Sequence, residues 1–250
     1  MSRNVFNRKD TAFKNKKNIT IVGVSNWLNQ SSKRSSLLKE KDHINLHNPI
    51  NTNIFKPFDR LKARELWDLP QDKKLVLFGA MRAASDPRKG FKELSEAMNK
   101  LEVSNDLELV VFGSSKPKNT QGLGFKIHYL GHLHDDVSLM TLYSAVDVMI
   151  VPSKQENLSN VIMENLSCGT PVVAFNIGGN SDMIDHKING YLAQPFDTTD
   201  LRDGIEWVLN NRDYDSLCEH ARSKVLKEFD SKVVAKKHIQ LYKSILENDE

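Results

Sequence analysis

Short runs of apolar residues alternate with amphipathic stretches along most of the chain. The runs are four to six residues long and rich in Val, Ile and Leu, which is typical of parallel strands buried on both faces. The stretches between them carry apolar positions at helical spacing. The predicted strands are 19–24, 74–80, 107–112, 126–129, 148–151 and 171–175, and the predicted helices are 26–40, 61–67, 91–101, 137–145, 160–167 and 182–185. The alternation predicts an α/β fold, a Rossmann-like parallel sheet with helices on both faces, and three helical segments from Thr199 onward predict a helical C-terminus.

A turn-rich segment, residues 48–58, divides the chain in two. The part that follows, 59–230, contains enough strands and helices for a complete domain, and 231–250 is predicted to be a terminal helix. The part that precedes it, 19–47, contains one strand, one helix and a short apolar run, which is too little to bury a core. Residues 1–18 are predicted to be a basic lead-in segment. The sequence therefore predicts one complete domain preceded by a small part of another.

Charge is unevenly distributed along the chain. Residues 1–18 carry six basic side chains and one acidic side chain, while the formal net charge of the whole chain is only +3. The rest of the chain is therefore close to neutral, and we predict no nucleic-acid-binding face on the fold. The basic segment is predicted to be solvated, with contact to anionic lipid or an acidic partner as the alternative.

Composition also bounds the environment of the protein. No apolar run approaches the roughly 20 residues that a membrane-spanning helix needs, and no apolar stretch follows the basic N-terminal residues to form a secretory signal. The two cysteines, Cys168 and Cys218, lie 50 positions apart without metal-ligand spacing and are predicted to be free thiols. We predict a cytoplasmic protein, with peripheral contact at the inner face of the cell membrane as the alternative.

The most informative stretch is residues 153–173. Glu156 and Glu164 stand eight positions apart, one before a predicted helix start and the other about one turn inside the helix. The N-terminus of a helix offers unpaired N–H groups and a partial positive charge, which suit a phosphate. Ionised carboxylates repel phosphate but accept hydrogen bonds from neutral hydroxyls. A nucleotide-sugar satisfies both requirements, although two glutamates eight apart also fit an ordinary amphipathic helix with solvated side chains.

This stretch resembles the E-x7-E signature of glycosyltransferase family 4, retaining enzymes of the GT-B fold. The residues from Glu156 to Asn160, Glu-Asn-Leu-Ser-Asn, are similar to the bacterial polysaccharide branch of that family. The resemblance covers about residues 19–230. It implies that this chain carries the C-terminal, nucleotide-sugar-binding domain. Residues 19–47 then correspond to the last strand and helix of an N-terminal acceptor domain, with Ser25-Asn26-Trp27 similar to the family's Ser-x-aromatic turn, and 48–58 to the interdomain linker.

The resemblance implies a role for two cations that follow the strand 74–80. Arg82 and Lys89 are assigned to the diphosphate, and a glycine at the strand end, Gly79, lets the backbone approach a ligand. Arg can chelate two phosphate oxygens while Lys acts as a point charge, so the pair would compensate the charge on a departing nucleoside diphosphate. The alternative for these two residues is a basic surface loop.

The remaining assignments also follow from the resemblance. Glu156 would hold hydroxyls of the donor sugar, backbone N–H groups of 157–160 would meet the phosphates and sugar, and Glu164 would grip the ribose diol. The backbone at 130–133 would border the base. The expected catalytic residues are Arg82, Lys89 and Glu156, and the expected donor-binding residues are Gly79, Gly131, His132, Asn157, Leu158, Ser159, Asn160 and Glu164.

Two other features of the sequence bear on the site. His132 is more typical of a loop residue than of a catalytic group, because nothing in the sequence pairs it with an acid. The turn Gly178-Gly179 fits equally well as a wall of the sugar pocket and as a tight connection between a strand and a helix.

No metal is expected, and no cofactor besides the donor. Asp213 and Asp215 match the Asp-x-Asp of metal-dependent sugar transferases, but they lie between two predicted helices and away from any strand end. The histidines at 128, 132 and 134 cluster without a Cys or carboxylate to complete zinc spacing.

The predicted function is transfer of a hexose-type sugar, with retention, from a UDP- or GDP-linked donor to an acceptor in bacterial polysaccharide biosynthesis. The partners are the nucleotide-sugar and a sugar or lipid-linked acceptor, which would bind mainly to the missing first domain. This chain alone would therefore be inactive or nearly so. One alternative is a non-catalytic nucleotide-sugar-binding module, and another is a nucleotide-sugar epimerase or phosphorylase of related two-domain shape.

Overall fold

The computed structural model describes residues 2–14, 16, 18–79, 86–101, 106–113 and 124–247. The strands are β1 (Thr20–Gly23), β2 (Asp42–Asn45), β3 (Lys74–Gly79), β4 (Leu107–Phe112), β5 (Lys126–Tyr129), β6 (Val148–Val151), β7 (Val172–Phe175) and β8 (Gly190–Ala193). The helices are α1 (Arg3–Lys14), α2 (Asn26–Lys33), α3 (Arg60–Leu66), α4 (Phe91–Asn99), α5 (Asp136–Ala145), α6 (Asn160–Ser167), α7 (Asn180–Met183), α8 (Thr198–Leu209), α9 (Tyr214–Glu228) and α10 (Ser231–Glu247), and one 3-10 turn spans Pro87–Lys89. Among these residues, no helix is both long and apolar enough to cross a bilayer.

The strands form two parallel sheets. β1 and β2 make a two-stranded sheet, and the other six strands make a sheet in the order β5-β4-β3-β6-β7-β8. The chain winds outward from β3 in one direction and then outward from β6 in the other. The predicted Rossmann-like α/β fold is therefore confirmed. In such a sheet, ligands bind outside the carboxyl ends of the strands where the winding direction reverses, which here is between β3 and β6.

The side chains of the central strands alternate between two cores. Leu75 and Leu77 of β3 face the core formed with α3, α5, α6 and α9. Val76 and Phe78 face the core formed with α4 and α8. All four are essentially inaccessible to solvent, and full burial of each such side chain stabilises the fold by roughly 1.5–3 kcal/mol. Burial on both faces explains why these strands are continuous apolar runs in the sequence.

Four elements differ from the predictions. β2 lies where the sequence predicts only a short apolar run, because three of its four residues are polar; the structure pairs it with β1. β8 is absent from the predicted strands, because the sequence Asn189-Gly190 is typical of a turn. The structure places Gly190 beside β7, where a Cβ would lie 2.3 Å from the carbonyl oxygen of Val172. The predicted helix 26–40 ends at Lys33, where the chain enters a serine-rich stretch that favours turns. Finally, the basic lead-in contains the helix α1, which buries none of its residues.

Residues 48–58, between the two sheets, are fastened to the C-terminal helices. The N–H of Ile50 donates to the carbonyl of Phe229, and the N–H of Ser231 donates to the carbonyl of Ile50. Arg222 of α9 donates to the carbonyls of Phe55 and Thr52, at 2.7 and 2.9 Å. Burial lowers the pKa of the Arg222 guanidinium. The segment is therefore an integral part of the packed structure.

A buried arginine secures the amino ends of β3 and β6. Arg64 donates to the carbonyl of Ala145 and to the carboxylate of Asp147, both at 2.8 Å, and to three carbonyls in the turn before β3. Asp147 also accepts from the N–H of Leu75 and from Arg60. The network satisfies backbone groups that would otherwise be buried without partners.

Candidate active site

The loops that follow β3 and β6 meet at the carboxyl ends of these strands. The N–H of Lys154 donates to the carbonyl of Arg88 at 2.8 Å. Gly90 adopts φ +72°, and a Cβ there would lie 1.8 Å from the carbonyl oxygen of Pro152. Only a glycine allows this approach without displacing one of the two loops. The contact places the end of the 3-10 turn directly beside the residues that precede α6.

This approach pairs two of the predicted catalytic residues. Lys89 Nζ lies 3.0 Å from Glu156 Oε1, and the two side chains are 37% and 14% exposed. A second ion pair joins the same two segments, between Lys154 Nζ and Glu93 Oε1 at 2.8 Å. The structure therefore brings a cation and a carboxylate together where the winding of the sheet reverses. Arg82, the other predicted cation, lies outside the described residues.

The start of α6 lies immediately after this ion pair. Leu158 is buried in the core and anchors the loop, while Asn160 is exposed. Ser159 occupies the N-cap position, but its side chain makes no capping hydrogen bond. The N-cap side chain thus leaves the first N–H groups of α6 without a capping hydrogen bond, and these groups can donate to a bound anion.

Glu164 faces inward from α6 and is held by a tyrosine. The Tyr143 hydroxyl donates to Glu164 Oε2 at 2.8 Å. Among the residues that the structure describes, no donor contacts the other oxygen, Oε1. Burial raises the pKa of the Glu164 carboxyl, and the hydrogen bond from Tyr143 partly opposes that rise. The arrangement fixes the carboxylate and leaves one oxygen able to accept hydrogen bonds from a ligand.

The Gly178-Gly179 turn supports the loop that carries Glu156. Gly178 adopts φ +52°, and a Cβ there would lie 1.8 Å from the carbonyl oxygen of Glu156. The N–H of Gly179 donates to the carbonyl of Asn157 at 2.8 Å. Gly178 also lines the adjacent cleft. The turn therefore combines the two roles that the sequence left open, a tight connection and a wall of the cleft.

We expect Gly178→Ala to lower the free energy of unfolding by roughly 2–5 kcal/mol, because left-handed backbone strain and overpacking add together. The control is Gly169→Ala. Gly169 has a similar φ, +78°, but its nearest neighbours would be 3.6 Å from the new methyl group. This control should lose only about 1–2 kcal/mol from strain. Urea denaturation measures both, and equal losses would show that the contact with Glu156 is unimportant.

The small sheet also reaches the site. Ser25 caps α2 and donates through Oγ to the side-chain oxygen of Asn157 at 2.8 Å. The carboxylate of Asp182 accepts from the N–H of Asn26 at 2.7 Å and lies 3.2 Å from His47 Nε2. Burial tends to raise the pKa of Asp182, but the hydrogen bonds from His47 and Asn26 hold it below its ordinary value. The first contact joins the start of α2 to the loop before α6, and the others join Asn26 and His47 to α7.

A cleft of about 570 Å³ lies beside the ion pair. It is lined by Trp27, residues 154–157, Ile177 and Gly178. Two larger clefts, of about 680 and 640 Å³, lie at the amino ends of β3 and β4 and between residues 57–60 and α9. Ligands of parallel sheets bind at the carboxyl ends of strands, so we consider the smaller cleft to be part of the candidate site.

The other predicted site residues also lie at the carboxyl ends of strands. Gly79 leaves space for the ring of Phe112, because a Cβ at Gly79 would lie 1.8 Å from that ring. The carbonyl of Gly131 accepts from the N–H of Gly113 at 2.7 Å. The ring of His132 stacks on that of His134, with centroids 6.3 Å apart. Gly131 and His132 follow β5, which is separated from β3 by β4. Their assignment to the base stays a prediction.

Sequence reasoning missed three residues that shape the site, Tyr143, Asp182 and His47. Tyr143 appeared only as an apolar position of a helix, and Asp182 only as the start of a short one. Glu164, the partner of Tyr143, is 21 residues away in sequence, and Asp182 and Asn26 are 156 residues apart. No local pattern signals contacts over such separations.

Comparison with known proteins gives consistent matches. A family model described as "Glycosyl transferases group 1" matches residues 72–211. An uncharacterized glycosyltransferase of Methanocaldococcus jannaschii is 27% identical over 199 residues, covering 76% of this chain and 50% of that protein. The chain spans about half the length of the curated relatives that it matches.

Two solved structures share the fold. Sucrose-phosphate synthase of Thermosynechococcus elongatus superposes with a TM-score of 0.80 at 25% identity, covering 99% of this chain and 63% of that one. The HepE protein of Anabaena, solved in complex with UDP-glucose, superposes with a TM-score of 0.74 at 19% identity, covering 90% and 64%. The second likeness shows the fold alone.

Proposed function

The chain belongs to the group 1 glycosyl transferases, and on that premise we propose that it supplies the nucleotide-sugar-binding domain of a retaining hexosyltransferase. The observation that carries the proposal is the pair of Lys89 and Glu156, held 3.0 Å apart beside the start of α6. A cation and free N–H groups suit a diphosphate, and an adjacent carboxylate suits sugar hydroxyls. The complex of the similar Anabaena protein with UDP-glucose supports a ligand of this class.

The described residues would contact three parts of the ligand: the diphosphate, the donor sugar and the ribose. Lys89 and the first N–H groups of α6 bind the diphosphate. Glu156 accepts hydrogen bonds from hydroxyls of the donor sugar. Glu164, oriented by Tyr143, accepts hydrogen bonds from the ribose hydroxyls through Oε1. The nucleoside and the sugar then lie at opposite ends of the diphosphate, next to Glu164 and Glu156 respectively.

Catalysis in this proposal is mainly electrostatic. The bond between the anomeric carbon and the phosphate oxygen breaks, so positive charge develops on the sugar and negative charge on the diphosphate. Lys89, Arg82 and the helix N–H groups stabilise the diphosphate as it leaves, which is the contribution that a divalent cation makes in other enzymes. We propose that the transfer needs no divalent metal ion and that the anomeric carbon keeps its configuration.

The acceptor and setting are also proposed. We propose that the acceptor is a sugar or a lipid-linked saccharide of bacterial polysaccharide synthesis. It would bind to protein outside these residues, because the described cleft is lined by groups that bind the donor. The reaction would take place in the cytoplasm, with the basic helix α1 available for contact with anionic lipid at the membrane surface. This chain alone would transfer sugar slowly or not at all.

The ribose contact gives the sharpest test of the nucleotide site. Calorimetric titration with UDP, GDP and ADP identifies the base, and the preferred diphosphate is then compared with its 2′-deoxy form. We expect the ribonucleotide to bind roughly tenfold or more tightly, because hydrogen bonds to a charged group contribute about 1.5–3 kcal/mol. Glu164→Ala should abolish this preference.

The control for this test is Glu65→Ala, which removes an exposed carboxylate of α3 that does not line the candidate cleft. It should keep the ribose preference of the unmodified chain. A preference that survives in a folded Glu164→Ala protein would contradict the assigned role of Glu164. No binding of any of the three diphosphates would contradict the proposed function itself.

A further inference from the structure

Trp27 presents a half-exposed indole to the candidate site. It belongs to the first turn of α2, its exposed fraction is 47%, and it lines the same cleft as Glu156 and Asn157. Most of the large aromatic side chains in the described residues are packed into the two cores. An aromatic ring of this size gains considerable free energy when a ligand covers it.

The position of Trp27 relative to Glu156 is fixed from two sides. Ser25 donates to Asn157, the residue next to Glu156, and a Cβ at Gly179 would lie 2.6 Å from the Ser25 Cβ. Asn26 donates to Asp182 through both its backbone N–H and its side chain. Ser25 is thus hydrogen-bonded to a residue of the cleft wall and Asn26 to α7. These contacts hold the backbone from which the indole of Trp27 projects.

The lining of the cleft has the chemistry of a carbohydrate site. Trp27 and Ile177 supply an apolar surface, while Glu156, Asn157 and Gln155 supply polar groups. A pyranose ring has a face of C–H groups and a rim of hydroxyls, so it can cover an aromatic ring and donate hydrogen bonds to a carboxylate at the same time.

We propose that Trp27 binds the donor sugar by stacking against the C–H face of the hexose whose hydroxyls bind Glu156. The inference rests on the proposed function, because it requires the diphosphate to lie beside Lys89. The sugar is bonded directly to that diphosphate, and Lys89 touches Glu156 at 3.0 Å. The sugar therefore enters the part of the cleft that Trp27 lines, while the nucleoside lies towards Glu164.

The test separates the sugar from the nucleotide. Unmodified protein, Trp27→Ala and Trp27→Phe are titrated with UDP, GDP and ADP, and with UDP-glucose, GDP-mannose and ADP-glucose. We expect Trp27→Ala to weaken binding of the preferred nucleotide-sugar roughly fivefold to tenfold and to leave the matching diphosphate unchanged. Trp27→Phe retains an aromatic ring and should keep most of the affinity.

The matched control is Tyr242→Ala, which removes another exposed aromatic side chain, on α10 and outside the cleft. It should change neither affinity. Tryptophan fluorescence adds a second readout. Of the three tryptophans, Trp67 is hydrogen-bonded to Thr141 and Trp207 packs on Tyr191, so a change that only the nucleotide-sugar produces should disappear in Trp27→Phe.

The outcomes distinguish failure of the stacking role of Trp27 from failure of the proposed nucleotide-sugar-binding function. If the diphosphate binds but the sugar adds nothing that depends on Trp27, the inference is wrong and the proposed function stands. If Trp27→Ala weakens the diphosphate and the nucleotide-sugar equally, Trp27 acts through the structure and not by stacking, which also overturns the inference. If no diphosphate binds to the unmodified chain, the proposed function fails first.

Discussion

Lys89→Ala is expected to weaken binding of the preferred nucleoside diphosphate by roughly 10-fold to 150-fold. Lys89 is the one described cation paired with Glu156 beside the start of α6, and charge-assisted hydrogen bonds contribute about 1.5–3 kcal/mol. The control is Lys92→Ala, on the next helix. The side chain of Lys92 is 82% exposed and pairs only weakly with Glu96, at 3.7 Å. Calorimetric titration should show no change in that variant.

Removing the other half of the ion pair should have the opposite effect. In the free protein Glu156 competes with the diphosphate for Lys89 and also repels it. Glu156→Gln keeps the shape of the side chain and removes both effects, so diphosphate affinity should rise a few-fold. The same variant should lose affinity for the nucleotide-sugar relative to the diphosphate, because the sugar loses a charged acceptor. Weakened diphosphate binding in both variants would contradict this account of the pair.

Arg64→Ala is expected to lower the free energy of unfolding by about 3–5 kcal/mol, the usual cost of removing one partner from a buried ion pair. The Arg64 side chain is 5% exposed, and its loss leaves Asp147 and four backbone carbonyls short of donors. Urea denaturation measures the change. Nucleotide affinity of the folded protein should be preserved, because Arg64 lies at the opposite edge of the sheet from Lys89.

Arg60→Ala is the comparison for Arg64. Arg60 binds the same carboxylate, Asp147, and donates to the Tyr214 hydroxyl, both at 3.1 Å. Its side chain is 37% exposed, and its removal leaves fewer buried groups unpaired than removal of Arg64. The loss should be no more than about 1 kcal/mol, as for partly solvated ion pairs. If Arg60→Ala destabilised the protein as much as Arg64→Ala, the backbone carbonyls bound by Arg64 would have to contribute little.

The central strands could be predicted because burial on both faces leaves a direct trace in the sequence. The bounds of β4 and β6 coincide with the apolar runs 107–112 and 148–151. β8 has no such trace. Its four residues, Gly-Tyr-Leu-Ala, contain no β-branched side chain, and its glycine resembles a turn signal. It is a strand because β7 offers an edge, which is a property of the assembled sheet.

The candidate site, like the sheet, could be predicted only in part from the sequence. Glu156 and Lys89 could be proposed because each lies beside a predicted strand end or helix start, and parallel strands bring such ends together. Their direct pairing could not be predicted, because it depends on the close passage of Gly90 across Pro152. The orientation of Glu164 depends on Tyr143, and the placement of Trp27 depends on Asp182. Both are tertiary contacts between residues far apart in sequence.

The fastening of residues 50–55 determines where the chain can bend. The N–H of Leu46 donates to the small sheet through the carbonyl of Gly23, and Ile50 is already bonded to Phe229 and Ser231. Rotation of one sheet against the other must therefore pivot within residues 47–49, one of which is a proline with a restricted φ. The pivot is short and stiff, and a rotation that moves Trp27 away from the loop before α6 must separate Ser25 from Asn157 and Asn26 from Asp182, so the cleft beside Trp27 opens only when these hydrogen bonds break.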